Sequence, residues 1–419
     1  TRGAAIGWDA RPDMDQPTPS APGARLMSLD VLRGFDMFWI LGADAVVLAL
    51  GKLGDSPLLH ALAEQMEHKV WSGFAFYDLI FPTFVFISGV ALVFSLPKSL
   101  ERHGRARTVR HILVRAAILF ALGIVYNGGL AEAWPEVRIV GVLQRIAIAY
   151  AVTGILFCFC RPRTCYAIGA ALLLGYWALL AFVPVRNVTL TQAAVTAALG
   201  TAEPAAAQVR QLYDATTERV TGRYERGLNV ANHFDYEWLP GGKYQKYWDP
   251  EGLLSTLPAI ATCLLGLLAG QRLRRTDRTP PQKIAWLAMA GALCLAGGWT
   301  WHLVFPVVKD LWSSSFVLVA GGWSLLLLAL FYYVVDVRQW RGWWCQPFQW
   351  IGLNPITLYM ASSLVGFHDI ARRLCGGSVA GWLDGVHAGL GNVGVAAVAL
   401  GLMLALAGFL HRRGIYLRV

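Results

Sequence analysis

The sequence predicts an all-α polytopic membrane protein, with about ten transmembrane helices and a periplasmic insertion. Three observations carry that expectation. Of 419 residues, 56% are hydrophobic and only 15% are charged, far from a soluble composition. Apolar runs that supply the ~20 helical residues needed to cross a ~30 Å hydrocarbon core recur along the chain. Basic residues gather in every second connection between those runs. Helices fill the runs, because an open strand would leave its backbone polar groups unpaired in lipid.

The runs fall near residues 29–50, 79–96, 112–130, 141–160, 166–183, 253–270, 284–302, 316–335, 347–366 and 390–411. Lys98, Arg102, Arg105, Arg107 and Arg110 follow the second run, Arg161 and Arg163 the fourth, and Arg272, Arg274, Arg275 and Arg278 the sixth. Arg338 and Arg341 follow the eighth, and Arg412, Arg413 and Arg418 close the chain. The positive-inside rule therefore puts these connections and both termini in the cytoplasm, with Arg372 and Arg373 a minor exception. The chain divides into a tail over 1–24, a first transmembrane half over 25–184, a periplasmic loop domain over 185–250 and a second transmembrane half over 251–419.

The tail is rich in Pro, Gly, Ala and Asp and lacks the basic start and apolar stretch of a cleavable signal, so it is expected to be a disordered cytoplasmic segment. The 185–250 connection is nearly balanced in charge and long enough to escape the charge rule. Thr191 to Gly227 is Ala-rich, with helical spacing broken at Pro204, and Asn229 to Tyr247 is crowded with aromatics, Gly and Asn. Connections of that length often carry function.

A net charge of +10 would suggest nucleic acid in a soluble chain. Here it is a topology signal, and no nucleic-acid partner is expected. The seven Cys are spread along the chain, which argues against a disulfide framework. Cys158, Cys160 and Cys165 lie close together, but no His or second C-x-x-C joins them, so no metal is expected. Walker, H-E-x-x-H and G-x-S-x-G motifs are missing from the sequence, which leaves metal and serine-triad hydrolysis unsupported.

Ionisable residues in or beside the apolar runs are the candidates for chemistry. Asp30, Arg33, Asp36 and Asp44 share about a third of the circumference of the first helix at ~100° per residue. Charges at that depth are costly unless they face protein or a wet cavity. Asp30, Arg33 and Asp36 form either a structural ion-pair network or the wall of a pocket; Asp44 lies deeper. The next loop brings Glu64, Glu67, His68 and Trp71 to the outer mouth, and Asp78 follows ten residues after His68. A carboxylate beside a histidine fixes its tautomer and raises its basicity, as general-base or acyl-carrying chemistry requires. A solvated bystander is the plain alternative for a loop histidine. Gln144 and Arg145 lie just inside the fourth run, where a guanidinium needs a phosphate, a developing oxyanion or a carboxylate such as Asp44. Asp249 and Glu251 precede the sixth run, either to bind an ammonium or as an ordinary acidic helix start.

The stretches RLMSLDVLRGFDMFWI, EHKVWSGFAFYDLIFPTFVFISG, RIVGVLQRIAIAY, WDPEGLLSTLPAIATCLLGLLAG, KDLWSSSF and NPITLYM, taken in order from Arg25 to Val419, resemble the heparan-alpha-glucosaminide N-acetyltransferase family. The chain is similar in particular to the bacterial branch of membrane glucosamine acetyltransferases. The resemblance implies a transmembrane acetyltransferase of the bacterial inner membrane, usually dimeric. It passes acetyl from cytoplasmic acetyl-CoA to the nitrogen of glucosamine or a terminal glucosaminide outside. The family's active-site histidine stands ten residues before an Asp that is followed by a Phe-Pro pair, and here it is His68, with Asp78, Phe81 and Pro82. The family's first-span asparagine aligns with Asp44, a departure in this chain. The external domain matches only at Asn229, Asp235 and the turn from Leu239 to Gly241.

The resemblance implies that the CoA phosphates stay on the basic cytoplasmic side, with Arg105, Arg107, Arg110 or Arg115 as partners and Arg33 and Gln144 further along the cofactor path. The thioester then reaches His68, which deprotonates the sugar ammonium or takes the acetyl itself. Arg145, or a donor nearby, meets the oxyanion. Asp78 and Asp44 complete the catalytic candidates, and Trp71, Asp235, Asp249 and Glu251 are the candidates for binding the acceptor. Acetyl-CoA, an amino sugar, the bilayer and a second copy of the chain are the expected partners. A proton-coupled transporter and an O-acyltransferase acting on a surface polysaccharide are the rivals, the first weakened by the lack of inverted repeats.

Overall fold

The computed structural model describes residues 26–416; the tail expected over 1–24 and the terminal Arg418 lie outside the described residues. Helix α1 (Met27–Phe38) passes through a π turn at Trp39–Ala43 into α2 (Asp44–Leu50), and α3 (Pro57–Gln65) precedes the long α4 (Phe76–Tyr126). Next come α5 (Val142–Phe159) and α6 (Pro162–Phe182). The connection that follows contains β1 (Val185–Arg186), α7 (Gln192–Leu199), α8 (Ala206–Ala215), β2 (Arg219–Val220) and α9 (Val230–Trp238). The second half holds α10 (Thr256–Arg274), α11 (Pro280–Trp301) and α12 (Ser314–Phe331), which ends in a π turn at Tyr332–Val337. It continues with α13 (Cys345–Leu353), α14 (Pro355–Leu364), α15 (Phe367–Cys375), α16 (Ser378–Val386) and α17 (Leu390–Arg412). Among the described residues the one sheet is the antiparallel pair β1–β2, with Val185 opposite Val220.

The fold is all-α and polytopic, as expected, but fewer helices than apolar runs qualify as spans. Among the described residues seven are long and apolar enough to cross a membrane: α4, α5, α6, α10, α11, α12 with its π turn, and α17. The second and third runs share α4. At ~1.5 Å per residue its 51 residues would reach well over twice the ~30 Å core if straight. Gly104, at φ 72°, breaks it. Thr108 Oγ1 donates to the Gly104 carbonyl at 2.9 Å and accepts from Ser99 Oγ at 2.9 Å, which stitches the bend. The first run is divided by the π turn at Trp39–Ala43. The ninth is divided between α13 and α14 at Pro355, which lacks the N–H needed to continue the ladder.

Small residues set the closest helix contacts. Gly89 of α4 lies against the Cys263 carbonyl of α10, and Gly266 of α10 lies against the Phe86 carbonyl of α4. A Cβ at either position would run into that backbone, so the two helices approach as small-residue pairs do in membranes. Above this crossing Trp312 and Phe316 fill the interior with Phe81, the Phe81–Trp312 ring centroids standing 4.8 Å apart. That packing brings the loop before α12 against the start of α4.

Candidate active site

The site forms where α4 begins. Asp78 stands in the first turn of α4, and its Oδ2 accepts the backbone N–H of Ala75 at 3.0 Å, satisfying an amide that a helix start leaves open. Its Oδ1 lies 2.8 Å from His68 Nδ1. A carboxylate accepts, so Nδ1 carries the proton and Nε2 holds the lone pair. The Asp78 side chain is 1% exposed and that of His68 is 50% exposed, so the orienting group is buried and the ring is open.

Lys309 completes the cluster. Its Nζ lies 2.9 Å from His68 Nδ1, 3.0 Å from Nε2 and 3.6 Å from Asp78 Oδ1. Only Nε2 has a lone pair to offer it. Two loops are tied together to make this contact: Gly73 N–H donates to the Val307 carbonyl at 2.9 Å, and Ser72 forms an antiparallel bridge with Val308. Burial pulls the Lys309 ammonium below its ordinary range, against the opposing pull of Asp78 and Glu251. Burial likewise raises the neighbouring Asp310, opposed by Lys309.

On the other side of His68, the Tyr77 ring stands 4.8 Å away, and its hydroxyl donates to Asp44 Oδ2 at 2.8 Å. Asp44 therefore reaches the site through Tyr77. It begins α2 directly after the π turn, and counting at 100° per residue from Arg33 does not carry across that turn. Arg33 instead pairs with Asp30 at 3.2 Å and donates to the Gly352 carbonyl at 3.3 Å, while Asp36 is buried with no hydrogen-bond partner to its Oδ2 among the described residues.

Arg145 does not strut Asp44. Fully buried in α5, it donates to the Pro250 carbonyl at 2.8 Å and to Ser255 Oγ, and its guanidinium lies 4.8 Å from the Trp312 ring centroid. Gln144 lies beside Gly123 and Gly141, and neither of its amide atoms has a partner among the described residues. Arg105, Arg107 and Arg110 are exposed just past the Gly104 break, and Arg115 lies 5.2 Å over the Tyr150 ring.

The carboxylates expected to meet the acceptor are already engaged. Asp249 accepts Arg138 through Nε at 2.8 Å and Nη2 at 2.7 Å, together with the backbone amides of Tyr244 at 2.9 Å and Glu251 at 3.0 Å. Glu251 Oε2 accepts the same Arg138 Nη2 at 2.7 Å. Both residues precede α10, which starts at Thr256, so they hold a loop and do not open the helix. Asp235 accepts the amides of Leu253 at 3.0 Å and Asp249 at 3.4 Å, and burial pushes its carboxyl up to about 7. Trp71 donates to the Tyr224 carbonyl at 2.8 Å and packs edge-on to Trp248.

A family model described as "Heparan-alpha-glucosaminide N-acetyltransferase, catalytic" matches residues 25–204, a stretch that contains Asp44, His68, Tyr77, Asp78 and Arg145. The human protein named heparan-alpha-glucosaminide N-acetyltransferase is 28% identical over 381 residues, covering 81% of this chain and 53% of the relative. The chain is thus similar to that family over its matched residues. The mouse protein of the same name is 27% identical over 379 residues, covering 82% of this chain and 55% of the relative. The chain thus spans about half the length of the curated relatives it matches. Lys309 lies beyond the residues that the family model matches, and only the fold brings it to His68.

Sequence reasoning missed Lys309 and Tyr77 as members of the site, and Arg138 as the partner of Asp249 and Glu251. Lys309 stands in the KDLWSSSF stretch, where a lysine in a short connection beside an apolar helix was the available signal. Tyr77 adjoins Asp78 and gave none, since its partner Asp44 is 33 positions away.

Proposed function

We propose that this chain is a transmembrane acetyltransferase that moves acetyl from cytoplasmic acetyl-CoA to the amine of glucosamine or a terminal glucosaminide on the periplasmic side. The observation that carries this reading is the His68–Asp78 pair, a half-exposed imidazole whose Nδ1 is held by a buried carboxylate at 2.8 Å. The pairing keeps the Nε2 lone pair toward the open side and stabilises the imidazolium that forms when Nε2 takes a proton. The names of the human and mouse relatives supply the acceptor class.

In the reaction His68 Nε2 removes a proton from the amine as its nitrogen attacks the thioester carbonyl. The carbonyl electron pair moves to oxygen, then returns and expels the CoA sulfur, which takes the proton back from His68. Direct transfer suits a ring that is 50% exposed, because an acetylimidazole there would be open to water. The exposed Arg105, Arg107 and Arg110 are suited to the CoA phosphates, as cations beside a helix break.

The test is product identity. The purified full chain is incubated with acetyl-CoA labelled in the acetyl group and with glucosamine, and the product is read by mass and by stability to hydroxylamine. A stable N-acetyl product is expected. A hydroxylamine-labile O-acetyl product on a polysaccharide would make it an O-acyltransferase, and uptake of the sugar into proteoliposomes without acetylation would make it a transporter. Label retained on the protein after rapid quench without acceptor would overturn direct transfer.

A further inference from the structure

We propose that Lys309 is a catalytic residue whose ammonium receives the carbonyl oxygen of the thioester as it becomes an oxyanion. The proposal rests on the acetyl-transfer reading and assigns the donor that the reaction needs. Three observations support it. Lys309 Nζ stands 3.0 Å from His68 Nε2, the atom that takes the proton. A reacting amine hydrogen-bonded to Nε2 sits ~3 Å from it. The oxygen two bonds beyond that nitrogen then falls within reach of a cation already in contact with Nε2. The free enzyme thus has Nζ on the Nε2 lone pair, and substrate offers it a better acceptor.

Second, Lys309 is held in place from several sides. The loop that carries it is pinned to the His68 loop by the Ser72–Val308 bridge, and Val308 N–H donates to Ser313 Oγ at 3.1 Å at the start of α12. Asp78 at 3.6 Å favours the charged form of the ammonium, opposing the burial that disfavours it. A cation so positioned needs little reorganisation when negative charge develops on oxygen. Third, the other nearby cations are held away from the open ring. Arg145 is fully buried, its Nη2 bonded to Pro250 and Ser255 beneath the Trp312 ring while Nε and Nη1 have no hydrogen-bond partner among the described residues, and Arg138 is bonded to Asp249 and Glu251.

The electron count is that of the transfer itself. As the amine nitrogen forms the C–N bond, the carbonyl π pair moves to oxygen and Nζ–H donates to it. When the pair returns, the C–S bond breaks and Nζ keeps its proton throughout. Lys309 is never acylated in this sequence.

The experiment uses the full chain in detergent with Lys309→Met and Lys309→Arg. Kinetics are read with acetyl-CoA and glucosamine, and equilibrium binding is read with two probes: CoA, and the trifluoromethyl ketone analogue of acetyl-CoA, whose hydrate or adduct presents an oxyanion. Lys309→Met is expected to lower kcat by ~10²-fold to 10³-fold, as loss of an oxyanion donor does, with KM for acetyl-CoA nearly unchanged. Lys309→Arg should recover part of the rate. Wild type should bind the ketone more tightly than CoA, and Lys309→Met should lose that preference while binding CoA normally. Equal kcat in Lys309→Met, or an unchanged ketone preference, would overturn the role of Lys309 alone. Failure of wild type to bind CoA at all would overturn the acetyl-CoA reading together with it.

Discussion

Two charged clusters lie within electrostatic reach of each other, since Lys309 feels both Asp78 and Glu251, yet they are built for different tasks. In the first, His68, Asp78 and Lys309 leave capacity over: the ring is half exposed and its Nε2 is met only by the Lys309 ammonium, which a substrate oxygen can draw off. In the second, one guanidinium binds two carboxylates, and Asp249 accepts two backbone amides besides. Asp249 and Glu251 hold the Arg138 charge above its ordinary range against burial, which lowers it. The difference teaches that ionisable density alone does not mark a reacting group. An incompletely satisfied one beside open space does.

The largest effect should come from His68→Ala. Turnover is expected to fall ~10³-fold or more, with melting temperature unchanged, because general-base chemistry supplies gains of that order and the ring contributes little packing. Wild-type turnover in this variant would erase the distinction between the clusters.

Arg138→Met should act on stability first. It leaves Asp249, whose side chain is fully buried, with an uncompensated charge, a change that costs ~3 kcal/mol or more. Thermal unfolding of the detergent-solubilised protein should shift down by several degrees, and any activity loss should follow that shift. A variant of normal stability with abolished turnover would move Arg138 into the reacting cluster.

Asp44 tests the border between the two kinds. Its hydrogen bond from Tyr77 is the link to His68. Asp44→Asn keeps an acceptor for that hydroxyl and should retain the fold and much of the rate. Asp44→Ala should retain the fold and lose ~10-fold in rate, the scale of one hydrogen bond to a charged group. Normal turnover of the Ala variant would put Asp44 outside the reaction cavity.

The smallest effect concerns pH. Burial raises Asp235 from 3.8 to about 7, so between those values the folded state binds more protons than the unfolded one, and stability falls as pH rises through the window. His233, lowered by burial from 6.5 to about 4, works in the opposite direction over much of the same range. Asp235→Asn should therefore show stability that rises from pH 4 to 6.5, where wild type is flatter. Identical pH profiles for the two proteins would refute the raised carboxyl.

The sequence by itself determined that the chain is helical and membrane-spanning, because backbone groups in lipid accept few solutions and the apolar runs declare their length locally. The ten-residue spacing and the family resemblance also pointed to a pairing of His68 with Asp78, which the fold brings to 2.8 Å because both lie within one loop and one helix start. Only the tertiary structure decided the other members. The π turn at Trp39–Ala43 re-aims Asp44 at Tyr77, a local change in ladder that residue counting does not register. Arg145 went to Pro250 and Ser255, and Asp249 to Arg138 at 111 positions' distance. Lys309 is 241 positions from His68 and meets it because the Ser72–Val308 bridge and the packing of Phe81 on Trp312 close two distant loops. A charge's partner is the nearest group that the fold leaves unsatisfied, and that depends on helix packing, which no single segment contains.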